Sequence, residues 1–384
     1  MRLKILLERE HKKIFRVDKS FSSKSIKTNR VIDVAEAFGI GLDERKFQLF
    51  ENFEVDINPG DIVYIVGESG SGKSVLLREL INQIRMNENT FGKLITDKEL
   101  MINDDEILVH GLGSSTEEAL QILSKSGLNE AFLFIRKYKE LSDGQKYRYK
   151  IAKMIDSNAS VWVLDEFCSN LDRESAKIVS FCLQKFARRN NKTVIVATSH
   201  NDLFDDLAPN VYIEKYFGKA SKVSYYPNNF AKECSIVKNI RIEEATKIDY
   251  KLLSIFHYKS SKPFFLKLFK MILNDRVIGI IVYSPSRLNS IGREIYFNRK
   301  FSLEEINRDF IRISRVVIHP KYRSIGLGTK LVKETLPLVN KKYVEAIAVM
   351  AKYCPFFERA GMIEVKEALR LRGKKYYIWE NRNL

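Results

Sequence analysis

Four short apolar runs, most of them rich in β-branched residues, punctuate the chain at Asp61–Val66, Val161–Leu164, Thr193–Thr198 and Val277–Tyr283, and the mixed stretch Ile311–Ile318 adds a further strand candidate. Runs of this length bounded by polar residues predict buried strands. The segment after the first run carries Leu76, Leu77, Leu80, Ile81 and Ile84 at helical spacing, so strand is followed by amphipathic helix, the pattern of an α/β fold. Past Tyr225-Tyr226-Pro227-Asn228-Asn229, a turn-rich stretch, the pattern changes to shorter alternating elements and predicts a boundary near residue 235. The longest apolar run, Val277–Tyr283, falls far short of the roughly 20 residues that cross a bilayer. No membrane span or membrane partner is expected. The first ten residues alternate apolar with charged side chains, including Glu8 and Glu10, unlike a secretory leader, and the expected location is cytoplasmic.

The first apolar run leads directly into Gly67-Glu68-Ser69-Gly70-Ser71-Gly72-Lys73-Ser74. Glycines at 67, 70 and 72 let successive backbone N–H groups turn toward a phosphate. Lys73 brings charge to the β and γ phosphates, and the Ser74 hydroxyl can ligate Mg²⁺. Gly67, Ser69, Gly70, Ser71, Gly72, Lys73 and Ser74 are therefore the expected ATP-binding residues. The second run, Val161–Leu164, ends in Asp165-Glu166. Asp165, with Ser74, is expected to hold the metal, and Glu166 to act as general base on the attacking water.

Between these two elements stands Leu141-Ser142-Asp143-Gly144-Gln145, and after the acidic pair comes Ser169-Asn170-Leu171-Asp172. With His200 behind the third run, the four motifs in this order resemble the ATP-binding cassette family. The resemblance implies a signature loop at Ser142 and Gly144, a D-loop at Ser169–Asp172 and a catalytic switch histidine at His200. It also implies a homodimer in which Ser142 and Gly144 of one subunit close over the ATP held by Lys73 of the other. Only 69 residues separate Lys73 from Ser142, which leaves no room for long coiled-coil arms. Gln121 is the weak candidate for the family's Q-loop glutamine, and Phe38 and Phe47 are both candidates for an adenine-stacking ring.

The last third contains a second glycine-bearing turn between strand and helix, Arg323-Ser324-Ile325-Gly326-Leu327-Gly328. Its backbone N–H groups can cradle a pyrophosphate. Together with the strand before it and Pro355-Phe356-Phe357-Glu358-Arg359-Ala360-Gly361 after it, this stretch resembles the acetyl-CoA-binding core of GNAT-type N-acetyltransferases. The resemblance implies that Val317 and Ile318 contact pantetheine and that Arg323, Ser324, Ile325, Gly326, Leu327 and Gly328 hold the CoA pyrophosphate. Where that family commonly has a catalytic tyrosine, four residues before Gly361, this chain has Phe357. Tyr353 and Glu345 are possible substitutes, His319 reads as a turn residue, and Cys354 has no neighbour in sequence that would activate it.

The resulting expectation is an α/β chain with a basic arm at 1–30, an ABC-type P-loop ATPase domain at 31–235 and a GNAT-like domain at 240–384. Its cofactors would be ATP, Mg²⁺ and acetyl-CoA. The charge refines this: residues 1–30 carry 10 Lys/Arg against 3 Asp/Glu, 31–240 carry 26 against 31, and 241–384 carry 29 against 14. A net charge of +17 concentrated at the two ends suggests a polyanionic partner, RNA ahead of DNA. The segment Phe256–Lys267 interleaves aromatics with lysines, a mixture that suits either single-stranded nucleic acid or an amphipathic helix. The four cysteines, at 168, 182, 234 and 354, are too widely spaced for a disulfide scaffold or a CxxC metal site. The leading functional expectation is an ATP-dependent N-acetyltransferase acting on RNA. Its rivals are a nucleic-acid-binding ATPase whose acetyltransferase fold only senses acetyl-CoA, and an acetyltransferase for protein lysines or a small amine.

Overall fold

The computed structural model describes residues 13–23, 26, 28–42, 45–128, 130–257, 262–348, 355–366 and 374–382. Part of the basic arm (1–12), part of the aromatic and lysine segment (258–261), Tyr353 and Cys354 lie outside the described residues. The chain divides into two compact units. One comprises residues 1–101, 157–170 and 183–231, and the other residues 102–156, 171–182 and 232–384.

In the first unit, β1 (Ile14–Ser23) and β2 (Arg45–Asp56) form an antiparallel pair. The second sheet contains β3 (Ile62–Gly67), β4 (Leu94–Thr96), β5 (Val161–Leu164), β6 (Thr193–Thr198), β7 (Val211–Lys215) and β8 (Ser221–Tyr225), in the order β4-β5-β6-β3-β7-β8. All its neighbours are parallel except β7 and β8. Parallel strands covered on both faces explain the unbroken apolar runs seen in the sequence. The helix Lys73–Met86 buries Leu76, Leu77, Leu80 and Ile84 against Val63 and Ile65 of β3, each burial contributing about 1.5–3 kcal/mol. Phe15 and Val17 of β1 enter the same core. A third of the stretch set apart as an arm is thus a strand, with Phe15 and Val17 buried.

In the second unit, Leu108, Leu123, Leu141 and Tyr149 form a helical core built by the helices Thr116–Ser126 and Asp143–Asp156. The unit's sheet contains β9 (Arg241–Glu244), β10 (Lys267–Leu273), β11 (Arg276–Ser284), β12 (Phe310–Ile318), β13 (Tyr343–Ala348), β14 (Ile363–Glu364) and β15 (Lys375–Glu380). Their order is β14-β15-β13-β12-β11-β10-β9, and β12 with β13 is the parallel pair. No helix among the described residues is long and apolar enough to cross a membrane.

Candidate functional site

The ATP site grows out of the end of β3. Gly67 pairs with Lys215 of β7, and a Cβ at Gly67 would stand 2.2 Å from the Lys215 carbonyl oxygen. Any side chain there would force the strands apart. Gly70 and Gly72 have φ of 78° and 104°, a left-handed conformation that glycine adopts at little cost. A Cβ on Gly72 would also press within 3 Å of the Leu49 side chain. Ser71 lies buried inside the loop, and its hydroxyl has no hydrogen-bond partner among the described residues. The loop then feeds the first turn of the helix Lys73–Met86, whose leading N–H groups point out of the helix end.

Lys73 Nζ donates to the carbonyls of Gly67 and Glu68, both at 2.7 Å. Burial lowers its pKa, with the negative charges of Asp165 and Glu166 pulling the other way. The ammonium is thus held at the loop by neutral acceptors that a phosphate outcompetes. Ser74 Oγ donates to Asp165 Oδ1 at 3.2 Å, bringing together the two oxygens assigned to the metal. Lys98, in the loop after β4, reaches the other oxygen, Asp165 Oδ2, at 3.2 Å.

Glu166 is exposed at the end of β5 with φ of 50°. This is a conformation that costs a non-glycine residue about 1–3 kcal/mol and concentrates at functional sites. It shares a cavity of about 610 Å³ with Ser69, Gly70, Gly72, Lys73, Ser74 and Asp165. His200 follows the end of β6. Its carbonyl accepts from the Tyr64 hydroxyl, but the cavity wall there is Ala197, Thr198 and Ser199. The histidine therefore lies one residue beyond the wall among the described residues.

Phe47 lines the same cavity beside Phe21, its cross-strand partner in the β1–β2 pair. Phe38, in the helix Asn29–Phe38, is exposed and outside the lining. Of the two rings open from sequence, Phe47 is the one at the cavity. Sequence reasoning missed Phe21 because its relation to Phe47 exists only through strand pairing. Gln121 lies within the helix Thr116–Ser126. In the second unit, Ser142 is exposed just before the helix Asp143–Asp156, its N–H donating to Gln145 Oε1 at 3.0 Å. A Cβ on Gly144 would meet nothing within 4 Å.

These elements define a P-loop ATPase. The family profile described as “ABC transporter” matches residues 50–169. A cytochrome c biogenesis ATP-binding export protein of Colwellia psychrerythraea is 30% identical over 183 residues, covering 40% of this chain and 80% of the relative. A ribosome protection protein of Bacillus subtilis is 27% identical over 160 residues, 42% of this chain and 27% of that protein. Among solved structures, an ATP-binding cassette in a post-hydrolysis dimer bound to ADP and Pi shares 18% identity over 56% of this chain and 98% of its own, with a TM-score of 0.40. The chain belongs to the ABC transporter family through its ATPase domain. ATP is its nucleotide.

The donor set at Ser74 and Asp165 fits Mg²⁺. It offers two hard oxygens, and among the described residues no group of three or more His, Cys, Asp and Glu could cage an ion. Mg²⁺ takes few protein ligands and completes its shell with phosphate and water. When bound, it neutralises charge on the phosphate oxygens. Ser74 and Asp165 would hold it, Lys73 would draw in the phosphates, and Glu166 is exposed where it can accept a proton from water.

The second glycine turn is built differently. Val317 and Ile318 end β12, both buried. Ser324 and Gly326 have φ of 75° and 91°, and Gly326 is exposed at the start of the helix Leu327–Thr335. Leu327 and Ile325 are buried, and a Cβ added to Gly328 would stand 3.7 Å from the Phe356 ring. The first N–H groups of this helix point out of its end, as in an anion cradle. Arg323 is already engaged: its Nε donates to the Ile318 carbonyl at 2.9 Å, and Glu130 lies 3.6 Å from its guanidinium. Burial lowers its pKa.

The candidates for acid and base are also engaged. Glu345 is buried, accepting from Arg293 at 2.7 and 3.0 Å and from the Tyr376 hydroxyl. His319 Nδ1 accepts from the Lys321 N–H at 3.3 Å, capping the turn Pro320–Tyr322. Phe357 is buried 5.5 Å from the Tyr377 ring.

Proposed function

We propose that the cassette ATPase is coupled to acetyl transfer from acetyl-CoA to an RNA acceptor, through a GNAT-type domain spanning residues 240–384. The observation that carries this reading is that, among the described residues, β12 parts from its parallel partner before either strand ends. Pairing with β13 runs from Phe310↔Tyr343 to Ile313↔Ala346, while β12 continues to Ile318 and leads into the exposed left-handed turn at Gly326. A strand whose backbone is released from one neighbour can offer N–H and C=O groups to a pantetheine arm, and the turn beyond it can take the pyrophosphate. Val317, Ile318 and the segment Ser324–Gly328 fill those roles. Arg323 belongs to the support of the turn, since its donors are spent on protein acceptors.

On the cassette side, ATP is sandwiched in a homodimer between Lys73 of one subunit and the exposed Ser142 and open Gly144 of the next. Phe21 and Phe47 offer a face for adenine, and His200 turns toward the γ-phosphate on closure. The basic C-terminal third recruits RNA.

One observation favours a second reading, in which the domain binds acetyl-CoA as a sensor without transfer. Phe357 occupies the position of the expected acid and is buried, and it has no proton to give.

The deciding experiment follows labelled acetyl from acetyl-CoA into RNA, protein and metabolite fractions, with and without Mg-ATP. ATP-dependent label in RNA supports transfer. Binding of acetyl-CoA, lost in Gly326→Glu, with no label in any fraction supports the sensor. Unchanged acetyl-CoA binding in Gly326→Glu defeats the assignment of the cradle.

A further inference from the structure

The face of the sheet ahead of Val317 carries an unusual concentration of guanidinium groups, and a bulge is responsible for it. Side chains alternate faces along a strand, so Arg312 and Arg315 should point to opposite sides. The register with β11 shifts between them: Ser284 pairs with Arg312 and Tyr283 with Ile313, but Val282 pairs with Arg315. Ser314 is the extra residue, its hydroxyl bonded to Ser284 Oγ at 2.7 Å and to the Val282 carbonyl at 3.1 Å. One extra residue restores Arg315 to the face of Arg312. Val317, two further on, packs on that same face with Ile280 and Val282. Arg287 follows β11 in the adjoining loop.

These groups crowd one another. Arg312 has its pKa lowered by burial first and then by the positive charges of Arg287 and Arg315, with Glu345 opposing. Glu345 is itself consumed by the two-point contact with Arg293. Among the described residues, the buried Nε of Arg312 and the buried hydroxyl of Ser286 have no hydrogen-bond partner. Unused donors among crowded like charges are costly in a protein interior, and a multiply charged oxyanion answers both at once.

We infer that Arg287, Arg312 and Arg315, with Ser286, form a phosphate-binding site that holds a phosphate group of the acceptor beside the end of β12. Guanidinium forks match phosphate oxygens in pairs, which a lysine cluster would not do. That the phosphate belongs to an acetyl acceptor rests on the acetyl-transfer reading; that the site binds phosphate does not.

The test uses the full-length protein carrying Lys73→Ala, which removes the cation of the ATP loop, and titrates it with inorganic phosphate by calorimetry. Phosphate binds this protein, and Arg312→Gln added to it weakens that binding by at least about tenfold, the loss of one charge-assisted contact. Without phosphate, Arg312→Gln unfolds at the same or a higher temperature, because it relieves repulsion, whereas a structural arginine would leave a less stable protein. Phosphate and acetyl-CoA bind together. A short RNA or a mononucleotide displaces phosphate, and the tighter of the two identifies the phosphate's source. Equal phosphate affinity in the Arg312→Gln protein, or competition between phosphate and acetyl-CoA, overturns the site. Arg312-dependent phosphate binding in a protein with no affinity for acetyl-CoA would leave the site standing and remove the acetyl-transfer reading.

Discussion

Lys321 Nζ lies 2.7 Å from Asp172 Oδ1 and 2.7 Å from Glu174 Oε2. Asp172 ends the D-loop motif and caps the helix Arg173–Arg189, accepting from the Ser175 N–H at 3.1 Å. Lys321 stands at the entrance to the second glycine turn, and its neighbour Tyr322 also reaches Glu174, at 2.7 Å. Lys321 and Tyr322 thus tie the segment that follows the cassette's acidic pair to the turn that opens the proposed acetyl-CoA cradle. Although partial burial works the other way, hydrogen bonds from Lys321 and Ser175 hold the Asp172 carboxyl at about 2, so the tie is ionised at neutral pH.

Lys321→Met combined with Tyr322→Phe should cut this tie while leaving each binding site its own residues; Lys321→Met alone removes its ionic part, which includes the contact with Asp172. If nucleotide state reaches the cradle through Asp172, wild-type acetyl-CoA affinity differs with and without Mg-ATP, and the difference shrinks in Lys321→Met. By linkage, ATP affinity must respond to acetyl-CoA by the same factor. Calorimetric titration of each ligand in the presence of the other measures both sides. An undiminished difference in the variant would exclude this route.

The ATP site separates two variants with opposite signatures. Lys73→Ala removes the ammonium held over the Gly67 and Glu68 carbonyls and should abolish nucleotide binding. Glu166→Gln keeps the shape of the site but lacks a proton acceptor, so it should bind ATP and turn over at least about a hundredfold more slowly, the usual scale of general-base loss. With ATP it should also sediment as a dimer. Equilibrium binding, phosphate release and sedimentation distinguish the pair; full phosphate release by Lys73→Ala would be incompatible with this site.

The elements that position ATP were legible because each is local. An apolar run, a glycine spacing and a terminal acidic pair fix β3, the loop and β5 within a few residues, and the strands fall at Ile62–Gly67 and Val161–Leu164. What escaped the sequence depends on partners far away in the chain. Phe21 faces Phe47 through antiparallel pairing, Lys98 meets Asp165 across 67 positions, and the Ser314 bulge is visible only as a shift against β11. The basic N-terminal stretch shows the same limit: within β1, Arg16 is paired with Glu54 and Lys19 with Glu79, both at 2.7 Å. Charge counted along the chain thus overstates what those two residues offer a polyanion.

The buried Arg293–Glu345 pair gives a prediction that also bears on catalysis. Both side chains are at most 3% exposed, and Arg293 stacks on the Phe310 ring with its carbon 4.7 Å from the centroid. Removing one partner strands the other charge, at a cost of about 3–5 kcal/mol. Glu345→Gln should therefore lower the unfolding midpoint in urea, and replacing both residues with apolar ones of similar volume should recover much of the loss. A Glu345→Gln protein of native stability that had lost acetyl transfer would instead mark Glu345 as a base.

His319 sets a pH limit on the second glycine turn. Its ring packs against Phe256 and Tyr322 with centroids 4.9 and 5.6 Å away, and its Nδ1 must stay unprotonated to accept from the Lys321 N–H. Burial, then the charges of Arg323 and Lys321, lower its pKa below the ordinary histidine value. The unfolded chain therefore binds the proton more readily than the folded one. By linkage, stability is constant above the unfolded value near about 6.5 and falls as pH drops below it. His319→Asn keeps an acceptor near the cap without a titrating ring, so between pH 7 and 5 its unfolding midpoint should fall less than that of the wild type. Parallel pH profiles for the two proteins would show that the acid sensitivity arises elsewhere.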